Sequence, residues 1–233
     1  MRLDRFVSQA AGISRSTARS LVQRGQVSVD GELERDVSRQ ICGSDRVEHA
    51  GERLDLAQPA YLMLNKPLGL LSATSDSEQA TVMSLLPQAL AQRVHLVGRL
   101  DKQTTGLLLL TEDGAWSHRV ASPRHGCAKT YLADLAEPLV ADAELRLRQG
   151  LVLRNDDKPV RSATLQRLSE TRVRITVTEG RYHLVRRMMA ALGNRVVGLH
   201  RERIGGLILD AALQPGQWRH LTIAERDAAL RAE

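Results

Sequence analysis

Gly98-Arg99-Leu100-Asp101-Lys102-Gln103-Thr104-Thr105-Gly106 runs directly into Leu107-Leu108-Leu109-Leu110-Thr111. The first nine residues are mostly polar and bounded by glycine, as a loop requires. The four leucines that follow read as a buried strand. A loop leading into a rigid strand can hold one side chain in a fixed direction. Asp101 is the carboxylate so presented, and Arg99 stands two residues before it. By spacing alone, the two also fit an ordinary surface ion pair.

Around this strand, helical and extended patterns are mixed. Residues 61–64 read as a short buried strand stopped by Asn65-Lys66-Pro67, and 113–121 as a helix closed by Ser122-Pro123. Residues 129–135 alternate as a strand with Lys129, Tyr131, Ala133 and Leu135 on one face, and 172–177 alternate in the same way. Helices are expected over 140–149 and 182–192, the second ended by Gly193. Strands are expected over 199–210 and 217–221, and Thr222-Ile223-Ala224-Glu225 is a capping box opening a last helix. There is no regular strand–helix–strand alternation. The pattern therefore predicts an α+β fold with a mixed, largely antiparallel sheet flanked by helices.

Residues 1–57 read as a separate, small, α-rich domain, with 58–233 as the larger one. Leu3, Phe6, Val7 and Ala10 have helical spacing. Ser14 is placed to cap a second helix that Gly25 stops, with Ala18, Leu21 and Val22 as its apolar stripe and Arg15 and Arg19 together on another face. Gln26 to Gly31 reads as a strand entering an Asp-Gly turn, and 49–60, with Gly51 and Pro59, as the linker.

Composition narrows the partners. The chain of 233 residues is 42% hydrophobic, enough for real cores, and carries a net charge of +6. Lys66, Lys102, Lys129 and Lys158 are its four lysines, so 29 of the 33 cations are arginine. Arginine forks match phosphate oxygens and base edges, and a basic balance favours nucleic acid. Aromatic rings are few: Phe6, Tyr61, Trp116, Tyr131, Tyr182 and Trp218. Any stacked base must use one of them. Cys42 and Cys127 form no CxxC, and the seven histidines no HExxH, so neither a metal site nor a cofactor is expected. With no signal peptide and no apolar run of membrane-spanning length, the chain reads as soluble and cytoplasmic, with no membrane association. No coiled coil or apolar interface face points to an obligate protein partner, and a monomer is expected.

Two sets of residues carry resemblances. Met1-Arg2-Leu3-Asp4-Arg5-Phe6, Ser14-Arg15 and Gly25-Gln26-Val27-Ser28-Val29-Asp30-Gly31 resemble the S4 RNA-binding domain. That resemblance implies phosphate contacts for Arg15, Arg19 and Arg24. Along the rest of the chain stand Leu64-Asn65-Lys66-Pro67-Leu68-Gly69, Gly98-Arg99-Leu100-Asp101 with Thr104-Thr105-Gly106-Leu107, Trp116-Ser117-His118-Arg119 and Ser122-Pro123-Arg124-His125. They continue in Lys129-Thr130-Tyr131, Glu179-Gly180-Arg181-Tyr182-His183, Gly193-Asn194 and His200-Arg201-Glu202-Arg203-Ile204-Gly205-Gly206. Together they resemble the pseudouridine synthases that carry an S4 domain and act on ribosomal RNA, leaning to the small-subunit branch.

The resemblance implies that Asp101 is the catalytic carboxylate, that Arg186 is its charged partner, and that Tyr131 stacks on a flipped uracil. It implies RNA contacts for Lys66, Arg99, Lys129, Arg181 and Arg187. It further implies uridine 516 of 16S ribosomal RNA, or of an assembling small-subunit particle, as the target. Covalent and glycal routes both stay open. So do large-subunit ribosomal RNA or transfer RNA as substrate, and a non-catalytic S4-type RNA-binding assembly factor. Leu184 departs from the pattern, standing where the family has a glutamine.

Overall fold

The computed structural model describes residues 1–56, 58–122, 125–154 and 156–231. It divides into two compact units, Met1–Gln58 and Pro59–Glu233. Pro123, expected to close a helix, and its neighbour Arg124 lie outside the described residues.

In the first unit, α1 (Leu3–Ala10) and α2 (Arg15–Gln23) pack on a four-stranded antiparallel sheet of β1 (Val27–Val29), β2 (Glu32–Glu34), β3 (Val47–His49) and β4 (Glu52–Arg53), in the order β2-β1-β3-β4. Leu3, Phe6 and Val7 from α1 and Ala18 and Val22 from α2 meet Val27 and Val29 in one core. Ser14 caps α2, its hydroxyl accepting from the Thr17 amide at 3.1 Å. Asp30 and Gly31 take φ of 55° and 87° between β1 and β2, the paired left-handed residues that a tight hairpin needs. Ala50 and Gly51 do the same between β3 and β4. The first part of the expected linker is therefore a second hairpin, which an alanine in a left-handed position concealed. Asp4 is fully buried; the Arg2 fork, with Arg15 behind it, holds its pKa down to about 2.

The second unit opens with β5 (Tyr61–Lys66), a 3-10 turn at Val82–Leu85, α3 (Gln88–Ala91), β6 (His95–Val97), β7 (Thr105–Thr111) and α4 (Gly114–Ala121). It continues through β8 (Lys129–Leu135), α5 (Ala143–Gln149), β9 (Thr164–Arg167), β10 (Arg172–Val177) and α6 (Leu184–Ala191), and closes with β11 (Val196–Ile204), β12 (Leu207–Ile208), β13 (Trp218–His220) and α7 (Ile223–Ala228). The sheet order is β13-β5-β7-β11-β8-β10-β9, with β6 paired to β7 and β12 to β11. β7–β11 is parallel and every other pairing is antiparallel.

The four leucines of β7 are central. Leu108 and Leu110 face one core and Leu107 and Leu109 the other, all with no exposed surface. A strand covered on both faces needs no polar alternation, which is why this run is uninterrupted. Each such leucine contributes about 1.5–3 kcal/mol of burial. The expected capping box at Thr222 and Glu225 is formed. The helix expected from residue 182 begins at Leu184, because His183 is left-handed at φ 51°.

Gly106 fixes the seam between β7 and β11. Its φ is +101°, and a β-carbon there would lie 2.3 Å from the Arg201 carbonyl oxygen. Gly106→Ala is therefore expected to destabilise the protein by about 3 kcal/mol or more. Gly12→Ala, at φ +66° but with open space around it, should cost only about 1–2 kcal/mol. Thermal unfolding of the two variants checks the difference.

Candidate active site

The parallel pairing of β7 with β11 covers two residue pairs, Thr105–His200 and Gly106–Arg201. Beside that seam lies a cavity of about 360 Å³. Its walls include Arg99, Asp101 and Thr104 from the loop before β7, Lys129 and Tyr131 from β8, Tyr182, His183 and Leu184 at the start of α6, and Leu199 and Arg201 from β11. The volume falls in the range of small-ligand sites.

Asp101 reaches this cavity because its loop is tied down from several directions. The Asp101 carbonyl accepts from the Thr104 amide at 3.0 Å, closing a turn, and the Ser72 hydroxyl accepts from the Leu100 amide at 3.2 Å. Beneath them lies Lys66, at the end of β5, with no exposed surface. Its ammonium donates to the carbonyls of Thr104 at 3.0 Å, Pro67 at 3.0 Å and Lys102 at 3.4 Å. Burial lowers its pKa to about 8, while the nearby Asp101 charge pulls the other way. Lys66 was expected to meet RNA; it is instead an internal clip on the loop that carries Asp101. The Lys66 side chain lies on the β5 face shared with Leu62 and Leu64, where no phosphate reaches it.

The basic residues of α6 also turn inward. Arg186, expected to pair with Asp101, donates from one guanidinium nitrogen to the Val196 carbonyl at 3.1 Å and from the other to the Gln103 carbonyl at 3.0 Å. It grips the backbone of the loop two residues past Asp101. The group that meets the Asp101 carboxylate is His183, whose Nε2 lies 3.5 Å from Oδ1. Arg181 spends its fork on Glu179, Asp156 and the carbonyls of Lys158 and Pro159. Arg187 donates to the same Asp156 and to the Arg154 carbonyl. Both arginines lower the Asp156 pKa, Arg187 the more. These two expected RNA contacts instead hold Arg154, Asp156, Lys158 and Pro159.

Tyr131 is where the strand pattern put it, in the cavity wall. Lys129 lines the same wall, but its ammonium donates to the Val120 and Cys127 carbonyls, and burial lowers its pKa to about 8. Arg99 is exposed at the cavity. Sequence reasoning missed Arg201. It is buried opposite Tyr131 in the β8–β11 ladder, its Nε donates to the Leu107 carbonyl at 2.8 Å, and Nη1 lies 3.4 Å from the Tyr131 hydroxyl. Its Nη2 has no hydrogen-bond partner among the described residues. The available signal was its place two residues after the inward-facing Leu199 on a strand. The ladder shifts register between Arg201 and Arg203, and a bulge of this kind re-aims side chains, so Ile204 also faces the cavity.

In the first unit, Arg15 directs its fork at Asp4. Arg19 and Arg24 are exposed with no partner among the described residues. No three His, Cys, Asp or Glu side chains among the described residues are grouped to hold a metal ion, and none of the described helices is long and apolar enough to cross a membrane.

Comparison with known proteins fits this arrangement. The RNA pseudouridylate synthase family matches residues 60–191 and the S4 domain matches residues 1–47. Ribosomal small subunit pseudouridine synthase A of Escherichia coli (strain K12) is 46% identical over 97% of this chain and 98% of its own length. The protein of the same name from Vibrio cholerae is 44% identical over 97% of both. A solved pseudouridylate synthase crystal structure superposes with a TM-score of 0.72 at 41% identity, covering 98% of this chain and 99% of that one.

Lys66→Met should misplace the Asp101 loop and leave the salt dependence of RNA affinity unchanged, since no phosphate contact is lost. The linkage has a definite sign. Between pH 8 and 10.5 the unfolded chain holds the Lys66 proton that the folded chain has released, so stability from this group rises with pH across that window. Denaturant titrations from pH 7 to 11 should show a shallower rise in Lys66→Met than in the parent.

Proposed function

The chain belongs to the RNA pseudouridylate synthases, and from that premise we propose that it converts uridine 516 of small-subunit (16S) ribosomal RNA to pseudouridine, with Asp101 as the catalytic carboxylate. The observation that carries the assignment of the residue is the meeting of Asp101, Tyr131 and a buried guanidinium at one cavity, on a loop fixed from beneath by Lys66. The support for the substrate is near-full-length identity to relatives named for the small ribosomal subunit. This substrate places the protein in the cytoplasm, acting on ribosomal RNA or an assembling particle.

The reaction breaks the bond from ribose C1′ to N1 of uracil and forms one from C1′ to C5. A proton leaves C5 and another is gained at N1, with no change of oxidation state. The uridine must first leave its stack and enter the cavity. Asp101 acts in its ionised form, whether it attacks C1′ or removes a sugar proton. The buried Lys66 ammonium lies beneath its loop, and His183 Nε2 lies 3.5 Å from its carboxylate. Tyr131 stacks on the detached uracil and relays the C5 proton to water, its hydroxyl giving up one proton as it takes the other, with Arg201 fixing where that hydroxyl stands. Arg186 works one step removed, holding the loop backbone at Gln103. Arg99, exposed at the cavity with no partner among the described residues, is suited to the target's phosphates.

The S4 unit supplies the grip, with Arg19 and Arg24 on phosphates. Each of Arg19→Ala and Arg24→Ala should lower the salt slope of RNA binding by about 1. Asp101→Asn should abolish pseudouridine formation and leave RNA affinity nearly unchanged. Mapping pseudouridines in ribosomal and transfer RNA from a deletion strain decides the substrate. A lost modification outside small-subunit RNA would move the target, and an active Asn variant would remove Asp101 from its role.

A further inference from the structure

Tyr182 is the exception among the six Phe, Tyr and Trp rings of the chain. The other five are buried or half-buried, and Tyr182 is 71% exposed. It stands in the wall of the one cavity that holds Asp101. Its ring lies flat on the His183 imidazole, with centroids 3.8 Å apart and planes 16° from parallel. His183 is held in turn by its left-handed backbone and by its Nε2 lying 3.5 Å from Asp101. On the other side, Arg181 is locked by two carboxylates and two carbonyls. The result is a two-ring stack that starts at the catalytic carboxylate and ends in an open aromatic face at the cavity mouth.

We infer that this open face is a stacking site for the nucleobase adjacent to the target uridine. The inference rests on the proposed function and adds a second nucleotide subsite to it. Flipping one base out of RNA deprives its neighbours of a stacking partner, at a cost of a few kcal/mol. An aromatic ring already resting on a neighbouring ring offers that contact in place. Every base has a π-face, so the site is tolerant of sequence and specific for an unpaired, splayed nucleotide. With so few rings in the chain, none of the other five can take this role: Phe6, Tyr61, Trp116 and Trp218 pack within or against the cores, and Tyr131 serves the uracil itself. His183 backs the platform, and its tie to Asp101 makes occupancy of the stack felt at the carboxylate.

The test uses the full-length protein and a hairpin copied from the uridine-516 segment of 16S ribosomal RNA, intact or with an abasic site on either side of the target. At one of the two positions, loss of the base should weaken binding by the parent about 5- to 150-fold, the equivalent of a base–aromatic stack. Tyr182→Ala should bind the intact hairpin more weakly by the same factor and no longer distinguish it from that abasic form. Tyr182→Phe should behave as the parent. With 2-aminopurine at that position, the parent should quench its fluorescence and Tyr182→Ala should not. The inference is overturned if neither abasic site weakens binding, or if Tyr182→Ala still discriminates as the parent does. The readout is binding, so it separates from the substrate assignment. Coupling without conversion of the uridine overturns the target and keeps the stack, and conversion without coupling does the reverse.

Discussion

A lysine with no exposed surface, donating to three backbone carbonyls, is the interaction on which the site depends. Leaving an ammonium out of water costs several kcal/mol unless its donors are satisfied. Here they are satisfied by the Pro67, Lys102 and Thr104 carbonyls, and two of those belong to the loop that presents Asp101. The loop cannot drift without orphaning a buried charge. That penalty holds the loop to one geometry more firmly than surface hydrogen bonds would. It also leaves a buried ammonium close to Asp101, so the group that shapes the loop sits beside the carboxylate it presents.

The architecture was legible wherever periodicity or turn chemistry decided it. The leucine run, the Asp30-Gly31 turn, the Ser14 cap and the Thr222 capping box follow from patterns with one physical solution. Legibility ended at charged residues, where one residue type has two opposite fates. Lysine is almost never fully buried, so Lys66 read as a solvent-facing cation. Arg181 and Arg187 read as RNA contacts because Asp156 and the carbonyls around it, which they bind, lie 22 to 33 residues away in sequence. Arg201 stood in a quoted motif yet drew no role, since nothing local reveals that Gly106 brings two backbones together there. The later start of α6 was hidden for a related reason: histidine enters the left-handed region rarely, and only its surroundings hold it there.

The arginine excess thus divides by partner. In the larger unit much of it is structural, spent on carboxylates and carbonyls that brace the cavity wall, and in the S4 unit Arg2, Arg15, Arg39, Arg46 and Arg53 are likewise paired with carboxylates. Arg19 and Arg24 remain solvated and available. Net charge alone suggested a basic surface throughout; the distribution suggests a solvated grip at one place and a rigid, largely self-satisfied pocket at another.

The seam between β7 and β11 has a further consequence, for the order of synthesis. It joins Thr105 to His200, and the last wall residue of the cavity is Ile204. The first unit needs nothing beyond Gln58. During translation the S4 unit can fold while most of the chain is still unmade. The pocket cannot close until Ile204 has been made. On the proposed assignment, a growing chain completes the unit that grips RNA well before it completes the pocket that carries the chemistry.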